Sequence, residues 1–148
     1  MKKLSLVLLL ALTASIGSGA TRRAATGFEL PGAIGVLRSA NMNSTADQAI
    51  DIKPDRYIIR RISVVAPTRN MTLAVGGLYT EAGKSGTTIV ASTQVYTTLT
   101  GNTKYLDLTL AAGVTGDILT DQTIYFSLTT AQGTAATADI YVFGDPLP

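Results

Sequence analysis

Residues 105–110, with the sequence Tyr-Leu-Asp-Leu-Thr-Leu, alternate between leucine and a polar or aromatic residue at every step. Residues 123–129 repeat this pattern, with Ile124, Phe126 and Leu128 separated by single residues. Successive side chains of a β-strand point to opposite faces of the sheet, so a two-residue period predicts strands with one buried face. No window outside the first twenty residues has the longer period of an amphipathic helix. The chain is therefore predicted to be all-β.

Further short apolar runs lie on both sides of these two stretches, separated by turn residues at intervals of about ten residues. They predict strands at residues 33–37, 48–52, 56–65, 71–79, 87–91, 95–99, 105–110, 123–129 and 138–143, of which 95–99 is the weakest. Many short strands at this spacing are typical of a sandwich or barrel. We expect a single β-sandwich of jelly-roll type with about eight strands, preceded by an apolar N-terminal leader or arm.

The run at residues 56–65 departs from simple alternation. Ile58, Ile62 and Val64 would share a face with Arg60 if the strand were regular. Either Arg60 lies at an interface, or a β-bulge shifts the phase of the strand.

Composition limits the chemistry that the chain can perform. Its 148 residues are 46% hydrophobic and 15% charged, and they include no histidine, cysteine or tryptophan. Ser-His-Asp and Cys-His mechanisms and thiolate metal sites are therefore excluded. We predict a protein that is not an enzyme, and we assign no catalytic, cofactor-binding or metal-binding residue. An enzyme that works with carboxylates is the less favoured alternative.

The two halves of the chain carry opposite charge. Residues 21–69 contain eight lysines and arginines against four acidic residues, a net charge of +4, whereas residues 70–148 contain two against six, a net charge of −4. This asymmetry predicts pairing within the chain or between subunits. A nucleic-acid-binding protein would more often have an overall basic surface with stacking aromatics, so no nucleic-acid partner is predicted.

Residues 1–20 have the layout of a secretory signal peptide. Lys2 and Lys3 precede an apolar run at residues 4–16, and Ser18-Gly19-Ala20 supplies small residues before a cleavage point. The apolar run is too short to cross a bilayer comfortably, so no stable membrane span is predicted.

An uncleaved apolar arm that packs against a neighbouring subunit is the alternative interpretation of the same segment. Residues 21–31 are predicted to form a linker or extended arm, and residues 32–148 to form the β-sandwich domain.

Gly83-Lys84-Ser85 is similar to the end of a phosphate-binding loop. The full motif needs a glycine at position 78, where this chain has Leu78, and residues 87–90 predict a strand instead of the required helix. We interpret the segment as a turn.

Two pairs of carboxylates, Asp117 with Asp121 and Asp51 with Asp55, are close enough in sequence to share a Ca²⁺ ion or to act as an acid and a base. Aspartates in turns and caps are far commoner, so no metal site is predicted. The main aromatic residues are six tyrosines, most of which we expect to pack across strands. A sugar or a protein partner is the alternative role for them. They are Tyr57, Tyr79, Tyr96, Tyr105, Tyr125 and Tyr141.

The order and composition of several segments carry a family resemblance. They are residues 56–62, 76–80, 84–87, 105–111, 125–133 and 138–145. Together they resemble small Thr/Ala/Gly-rich virion proteins of tailed bacteriophages. The resemblance covers about residues 56–145, contains no catalytic motif, and implies a capsid-decoration (cement) or fibre-like role as a symmetric oligomer.

Two functions are therefore expected from the sequence. The first is a non-enzymatic virion structural protein, a capsid decoration protein that binds the major capsid protein or other virion proteins and forms a homo-oligomer. The second is an exported bacterial module that binds carbohydrate or a surface protein, and is secreted or periplasmic after removal of residues 1–20.

Overall fold

A computed structural model describes residues 30–148, so the leader predicted at residues 1–20 and most of the linker predicted at residues 21–31 lie outside the described residues. The described part consists of strands and loops without a helix, and thus has no helix suited to crossing a membrane. It contains eight strands. They are β1 (Ala33–Asn41), β2 (Gln48–Asp51), β3 (Tyr57–Val65), β4 (Val75–Glu81), β5 (Ser85–Val90), β6 (Tyr105–Asp107), β7 (Thr123–Thr130) and β8 (Thr137–Pro146).

The strands form two antiparallel sheets of four strands each. Sheet A has the order β1-β8-β3-β6, and sheet B has the order β2-β7-β4-β5. β1 pairs with β8, β2 with β7, β3 with β6 and β4 with β5. Every strand is therefore the neighbour of the strand at the mirror position in the chain. The all-β prediction with two packed sheets is confirmed.

Short backbone pairings join the two sheets along both sides. On one side Gly35 of β1 bridges Ile52, which follows β2. On the other side the chain that leaves β6 crosses to sheet B, where Leu110 bridges Val90 of β5. Unpaired strand edges can template aggregation, so these bridges protect both sides of the sandwich.

The core lies between the sheets and is built from the alternating residues that the sequence predicts. Ile124, Phe126 and Leu128 of β7 are fully buried, and the ring of Tyr96 meets that of Phe126 edge to face at 6.1 Å. Sheet A contributes Ile62, Val64, Ile140 and Val142. Full burial of one such side chain stabilises the fold by about 1.5–3 kcal/mol.

Gly76 and Gly77 allow the strands of sheet B to approach closely. A Cβ atom on Gly77 would lie 2.1 Å from the carbonyl oxygen of Val90, and one on Gly76 would lie 2.4 Å from the Cα atom of Leu128. Neither position has room for a side chain.

The four glutamines of the chain bond to the backbone of other segments. Gln132 is buried, and its Oε1 accepts from the N–H groups of Leu73 at 3.1 Å and Ala74 at 3.2 Å. The side-chain amide of Gln48 forms two hydrogen bonds with the backbone of Asn41, as a residue of a paired strand would. Its Oε1 accepts from the N–H of Asn41 at 2.7 Å, and its Nε2 donates to the Asn41 carbonyl at 2.9 Å. Gln94 and Gln122 bond the backbone of Thr109 and Pro54.

A β-bulge explains the irregular pattern of β3. Ile59 pairs with Gly144 and Arg61 with Phe143, so Arg60 is an extra residue on β3. Arg60 and Arg61 are both exposed, while Ile59 and Ile62 are buried on either side of them. The bulge interpretation of Arg60 is therefore confirmed.

The prediction of a strand at residues 95–99 is wrong. Val95 makes a single bridge to Val75, and the chain then turns inward to bury Tyr96 and Leu99. Residues 71–79 also begin their strand later than predicted, at Val75, because Thr72, Leu73 and Ala74 are bonded to Gln132.

Candidate functional site

The outer face of sheet A carries an ordered array of aromatic and charged side chains. In β8, Asp139, Tyr141 and Phe143 alternate with residues of the core. The register places Arg61 of β3 opposite Phe143, and Ser63 of β3 opposite both Tyr141 and Asp107 of β6. Three of the four strands of the sheet therefore contribute to this surface, and β1 contributes Arg38.

A second β-bulge positions Arg38 on this surface. The register of β1 against β8 shifts between Leu37 and Ala40, and Ser39 has a positive φ of 51°. The freed N–H of Ser39 donates to Asp139 Oδ1 at 2.8 Å, while Arg38 Nη1 donates to Asp139 Oδ2 at 2.9 Å. The hydrogen bond to Asp139 raises the pKa of the Arg38 guanidinium above its ordinary value. Bulges often redirect side chains toward functional sites. Arg38 lies beside the bulge of β1, and Arg61 lies beside the bulge of β3.

Four planar groups stack along the face, and we call them the arginine–aromatic stack: Arg38, Tyr141, Phe143 and Arg61. The Arg38 guanidinium lies 4.9 Å from the centroid of the Tyr141 ring and also donates to its hydroxyl. The Tyr141 and Phe143 rings are 6.2 Å apart at an interplanar angle of 21°. The Arg61 guanidinium lies 4.4 Å from the centroid of the Phe143 ring. Cation–π contacts of this kind each contribute about 0.5–1 kcal/mol at exposed sites.

Asp107 anchors the opposite edge of the face. It accepts hydrogen bonds from the hydroxyls of Ser63, at 2.5 Å, and Tyr105. Arg61 Nε lies 3.8 Å from Asp107 Oδ1. The stack is therefore held by a carboxylate at each side, Asp139 beside Arg38 and Asp107 beside Arg61.

The ion pairs on this face join the two oppositely charged parts of the sequence. Arg38 pairs with Asp139, Arg60 with Asp145 at 2.7 Å, and Arg61 with Asp107. Each pair takes its arginine from residues 21–69 and its aspartate from residues 70–148, so the prediction of pairing within the chain is confirmed. Exposed ion pairs contribute little stability, at most about 1 kcal/mol each. Their main effect here is to hold long side chains in defined positions.

This arrangement suits recognition of another surface. Tyr141 is buried at 5% exposure, so the accessible groups of the stack are Arg38, Phe143 and Arg61. Arginine is among the side chains that most often dominate binding energies in interfaces. Side chains that are already ordered lose less conformational entropy when a partner binds. The sequence alone predicted a strand at residues 138–143, but it could not identify Arg38 and Arg61 as partners of its side chains, since these arginines lie about 80–100 residues earlier in the chain.

Gly83-Lys84-Ser85 forms the tip of the hairpin between β4 and β5, so the turn prediction is confirmed. Gly83 and Lys84 have positive φ angles of 75° and 60°, and the N–H of Gly83 donates to Asp47 Oδ2 at 2.6 Å. The pKa of Asp47 is held below its ordinary value by the Ser127 hydroxyl and by this N–H.

Of the four carboxylates considered as possible pairs, three are exposed and Asp121 is half-buried. Asp51 faces Thr123 across β2 and β7, and Asp55 lies in an exposed turn. Asp117 is exposed, and the backbone oxygen of Asp121 accepts from the Tyr57 hydroxyl at 2.7 Å. Within residues 30–148, no three His, Cys, Asp or Glu residues are placed to hold a metal ion.

The six tyrosines divide among three locations. Tyr57 and Tyr96 are part of the core, as cross-strand packing predicts. Tyr141 and Tyr105 belong to the outer face of sheet A. Tyr79 and Tyr125 lie opposite each other in sheet B, where Tyr79 is buried and Tyr125 is half-buried.

No protein-family model matches the chain, and no match was found among the curated proteins or the solved structures.

Proposed function

We propose that this chain is a non-enzymatic structural protein of a tailed-bacteriophage virion, and that it works as a capsid decoration (cement) protein. The observation that carries the proposal is the arginine–aromatic stack on the outer face of sheet A. Its four planar groups are ordered by neighbouring carboxylates and rings before any partner binds. Such a face can bind the major capsid protein or another virion protein with a low ordering cost.

The physical basis of decoration is the addition of many weak contacts. A shell presents the same binding site in many symmetry-related copies, so a modest affinity per site is multiplied by effective concentration. Three ion pairs of the described residues hold long side chains in place on this face. Contact with a partner then depends on shape and on the accessible groups of the stack.

The proposal includes a jelly-roll type for the sandwich. In a jelly roll, the chain forms one long antiparallel hairpin that then wraps into two sheets. The first strand therefore pairs with the last, the second with the one before the last, and so on inward. The strand orders β1-β8-β3-β6 and β2-β7-β4-β5 have these pairings, which supports a jelly-roll type. Jelly rolls occur in viral capsid and lectin domains. Fold does not decide function by itself, so the surface carries the argument.

Binding to shells tests the proposal. Expanded empty shells would be prepared from the major capsid protein encoded in the same genome as this chain, and sedimented with the purified protein. We expect wild type to sediment with the shells, and Phe143→Ala to lose affinity by about tenfold or more, because it removes a ring from the stack. Tyr125→Ala is the matched control, since it removes a tyrosine from the outer side of sheet B and should retain binding.

Circular dichroism of both variants would verify that each is folded. Wild-type protein that stays in the supernatant at every concentration would overturn the proposal, as would equal loss of binding in both variants.

The second candidate is an exported module that binds carbohydrate or a surface protein. The N-terminal sequence favours it, with Lys2 and Lys3 before an apolar run and Ser18-Gly19-Ala20 after it. Mass spectrometry of the native N-terminus discriminates between the candidates. A mature chain that begins at Thr21 would support export, and an intact Met1 or Lys2 would contradict it.

A further inference from the structure

We propose that the tip of the β4–β5 hairpin is a lid over the outer side of sheet B, that Asp47 holds the lid closed, and that opening it uncovers Tyr79. The lid consists of residues 81–88. The outer sides of the two sheets lie on opposite sides of the sandwich, so the lid faces away from the arginine–aromatic stack. The inference therefore goes beyond the proposed function and does not depend on it.

Tyr79 is buried on the side of sheet B that faces away from the core. Leu78 pairs with Phe126, and both belong to the core. Successive side chains of a strand point to opposite faces, so Tyr79 and its partner Tyr125 point outward, as does Ser127. Outward side chains of a two-layer sandwich are ordinarily open to solvent, yet Tyr79 is 3% exposed and Ser127 is 0% exposed. Another segment must cover them.

The strand register identifies that segment. Tyr79 pairs with Tyr125 and β4 runs antiparallel to β7, so a straight hairpin would bring Gly83 level with residue 121. Gly83 would then lie six residues, or roughly 20 Å, from Ser127 along the sheet. Instead, the N–H of Gly83 donates to Asp47 Oδ2 at 2.6 Å, and the Asp47 carboxylate lies beside the Ser127 hydroxyl, which lowers its pKa. The hairpin therefore bends back over sheet B and covers Tyr79.

The hairpin has the irregularities that this bend requires. The pairing of β4 with β5 shifts its register on both sides of Tyr79, and such bulges bend a strand and increase its twist. Beyond the bulges, Gly83, Lys84 and Gly86 have positive φ angles of 75°, 60° and 70°. This region of φ is unfavourable for Lys84, which has a side chain, so the closed tip holds strain that opening relieves.

Polar contacts hold the lid closed. All eight of its residues are exposed, so no lid side chain is buried in the core. Among the described residues, two hydrogen bonds join the lid to the segment before β2. One is the bond from Gly83 to Asp47, and the other runs from Lys84 Nζ to the Thr45 carbonyl at 3.5 Å, which is long for a hydrogen bond. A bond to an ionised carboxylate is the stronger kind, so Asp47 is the latch of the lid.

The closed lid also leaves a buried polar group without a partner. Within residues 30–148, the Tyr79 hydroxyl is buried and makes no hydrogen bond. Opening would let water satisfy it. This hydroxyl and the strained Lys84 favour the open form, whereas the bond to Asp47 favours the closed form. Segments with such opposed contributions open locally while the rest of the fold stays intact.

Nitration of tyrosine rings by tetranitromethane, located by tandem mass spectrometry, measures the opening. The chain contains its own reference residues. Tyr57 and Tyr96 are fully buried and should react slowly, while Tyr105 is 48% exposed and should react fast. In wild type, Tyr79 should react as slowly as the two buried tyrosines.

Asp47→Ala removes the acceptor of the Gly83 N–H, so Tyr79 should be nitrated about tenfold or more faster than in wild type. Asp47→Asn retains an oxygen acceptor without the charge, and it should give a smaller increase in rate. Asp51→Ala is the matched control, because it removes an exposed aspartate of β2 that does not contact the lid, and it should leave the rate at Tyr79 unchanged.

Two results would overturn the inference at once. One is a Tyr79 that reacts no faster in Asp47→Ala than in wild type, and the other is a wild-type Tyr79 that reacts as fast as Tyr105. Tyr57 and Tyr96 separate opening from unfolding, since they should stay slow in every variant. If they accelerate together with Tyr79 in both Asp47 variants, Asp47 supports the whole fold and the lid is refuted.

The shell-binding result is read separately. Wild-type protein that fails to bind shells but shows the expected nitration would leave the lid standing and remove the decoration role. Shell binding without the expected nitration would do the reverse.

Discussion

At the scale of single residues, the side-chain amide of Gln132 connects two loops of the sandwich. It accepts from the N–H groups of Leu73 and Ala74, and it donates to the Thr72 hydroxyl at 3.2 Å. Ala74 is fully buried, and a buried N–H that loses its acceptor costs about 1–3 kcal/mol.

Replacement of Gln132 by the similarly sized Met should therefore lower the free energy of unfolding by about 3 kcal/mol, because two N–H groups lose their acceptor. Urea denaturation measures the change. Gln122→Met is the control, since Gln122 is exposed and makes one bond to Pro54 at 3.3 Å, and it should change stability by less than about 0.5 kcal/mol. Equal losses for both variants would show that Gln132 does not hold the segment.

The Tyr57 hydroxyl makes stability depend on alkaline pH. Burial, with a smaller effect from the Asp121 charge, raises the pKa of Tyr57 from 10.0 to about 12. A group whose pKa is raised on folding stabilises the fold below its unfolded pKa and loses that contribution as the pH rises to its folded value. The free energy of unfolding should therefore fall between pH 10.0 and about 12.

Tyr57→Phe should make this alkaline loss shallower while lowering stability at neutral pH by about 1 kcal/mol, because the hydrogen bond to Asp121 is lost. Urea denaturation at a series of alkaline pH values measures both effects. The fully buried Tyr96, whose pKa burial also raises, supplies part of the remaining loss. An unchanged alkaline profile in Tyr57→Phe would contradict this role.

At the scale of strands, the close approach of β4 and β5 depends on Gly77. Gly77→Ala would place a Cβ atom 2.1 Å from a backbone oxygen of β5, which cannot move without disturbing the sheet. We expect the free energy of unfolding to fall by about 3 kcal/mol, as measured by thermal or urea denaturation. Gly113→Ala is the control because an added Cβ there meets nothing within 4 Å, and the prediction fails if the two variants are equally stable.

Strand positions could be predicted from the sequence where one face of the strand is buried and the other is exposed to solvent. β7 alternates in this way, and its predicted bounds are close to the observed ones, whereas β8 extends three residues beyond its predicted end at residue 143. Residues 105–110 also alternate, but they divide between the sheets, with β6 on sheet A and Leu110 on sheet B. A two-residue period does not reveal which neighbour a strand pairs with, so this crossing could not be predicted.

The candidate site was harder to predict for a related reason. Its two arginines depend on bulges in β1 and β3, and only the irregularity at Arg60 left a signal in the sequence. Ser39 has no such signal, because its positive φ serves a bond to Asp139 on a distant strand. Contacts across about a hundred residues are set by the whole fold, which the local pattern does not contain.

At the scale of the whole molecule, charge and topology act together. The opposed charges of the two halves meet on sheet A because β1 and β3 lie on either side of β8, and β6 lies beside β3. A chain with separately folded halves would have held these charges apart. The folded chain instead presents them as ordered pairs on one face, where they hold the arginine–aromatic stack in position.

The central place of β8 has a consequence for biosynthesis. Of the eight strands in residues 30–148, β8 is the last to leave the ribosome, yet it lies between β1 and β3 and pairs with both. A nascent chain that has not yet reached Thr137 must keep those earlier strands unjoined, with their apolar sides open to other polypeptides. Sheet A therefore cannot close before β8 is available, and until then chaperones have reason to hold this protein.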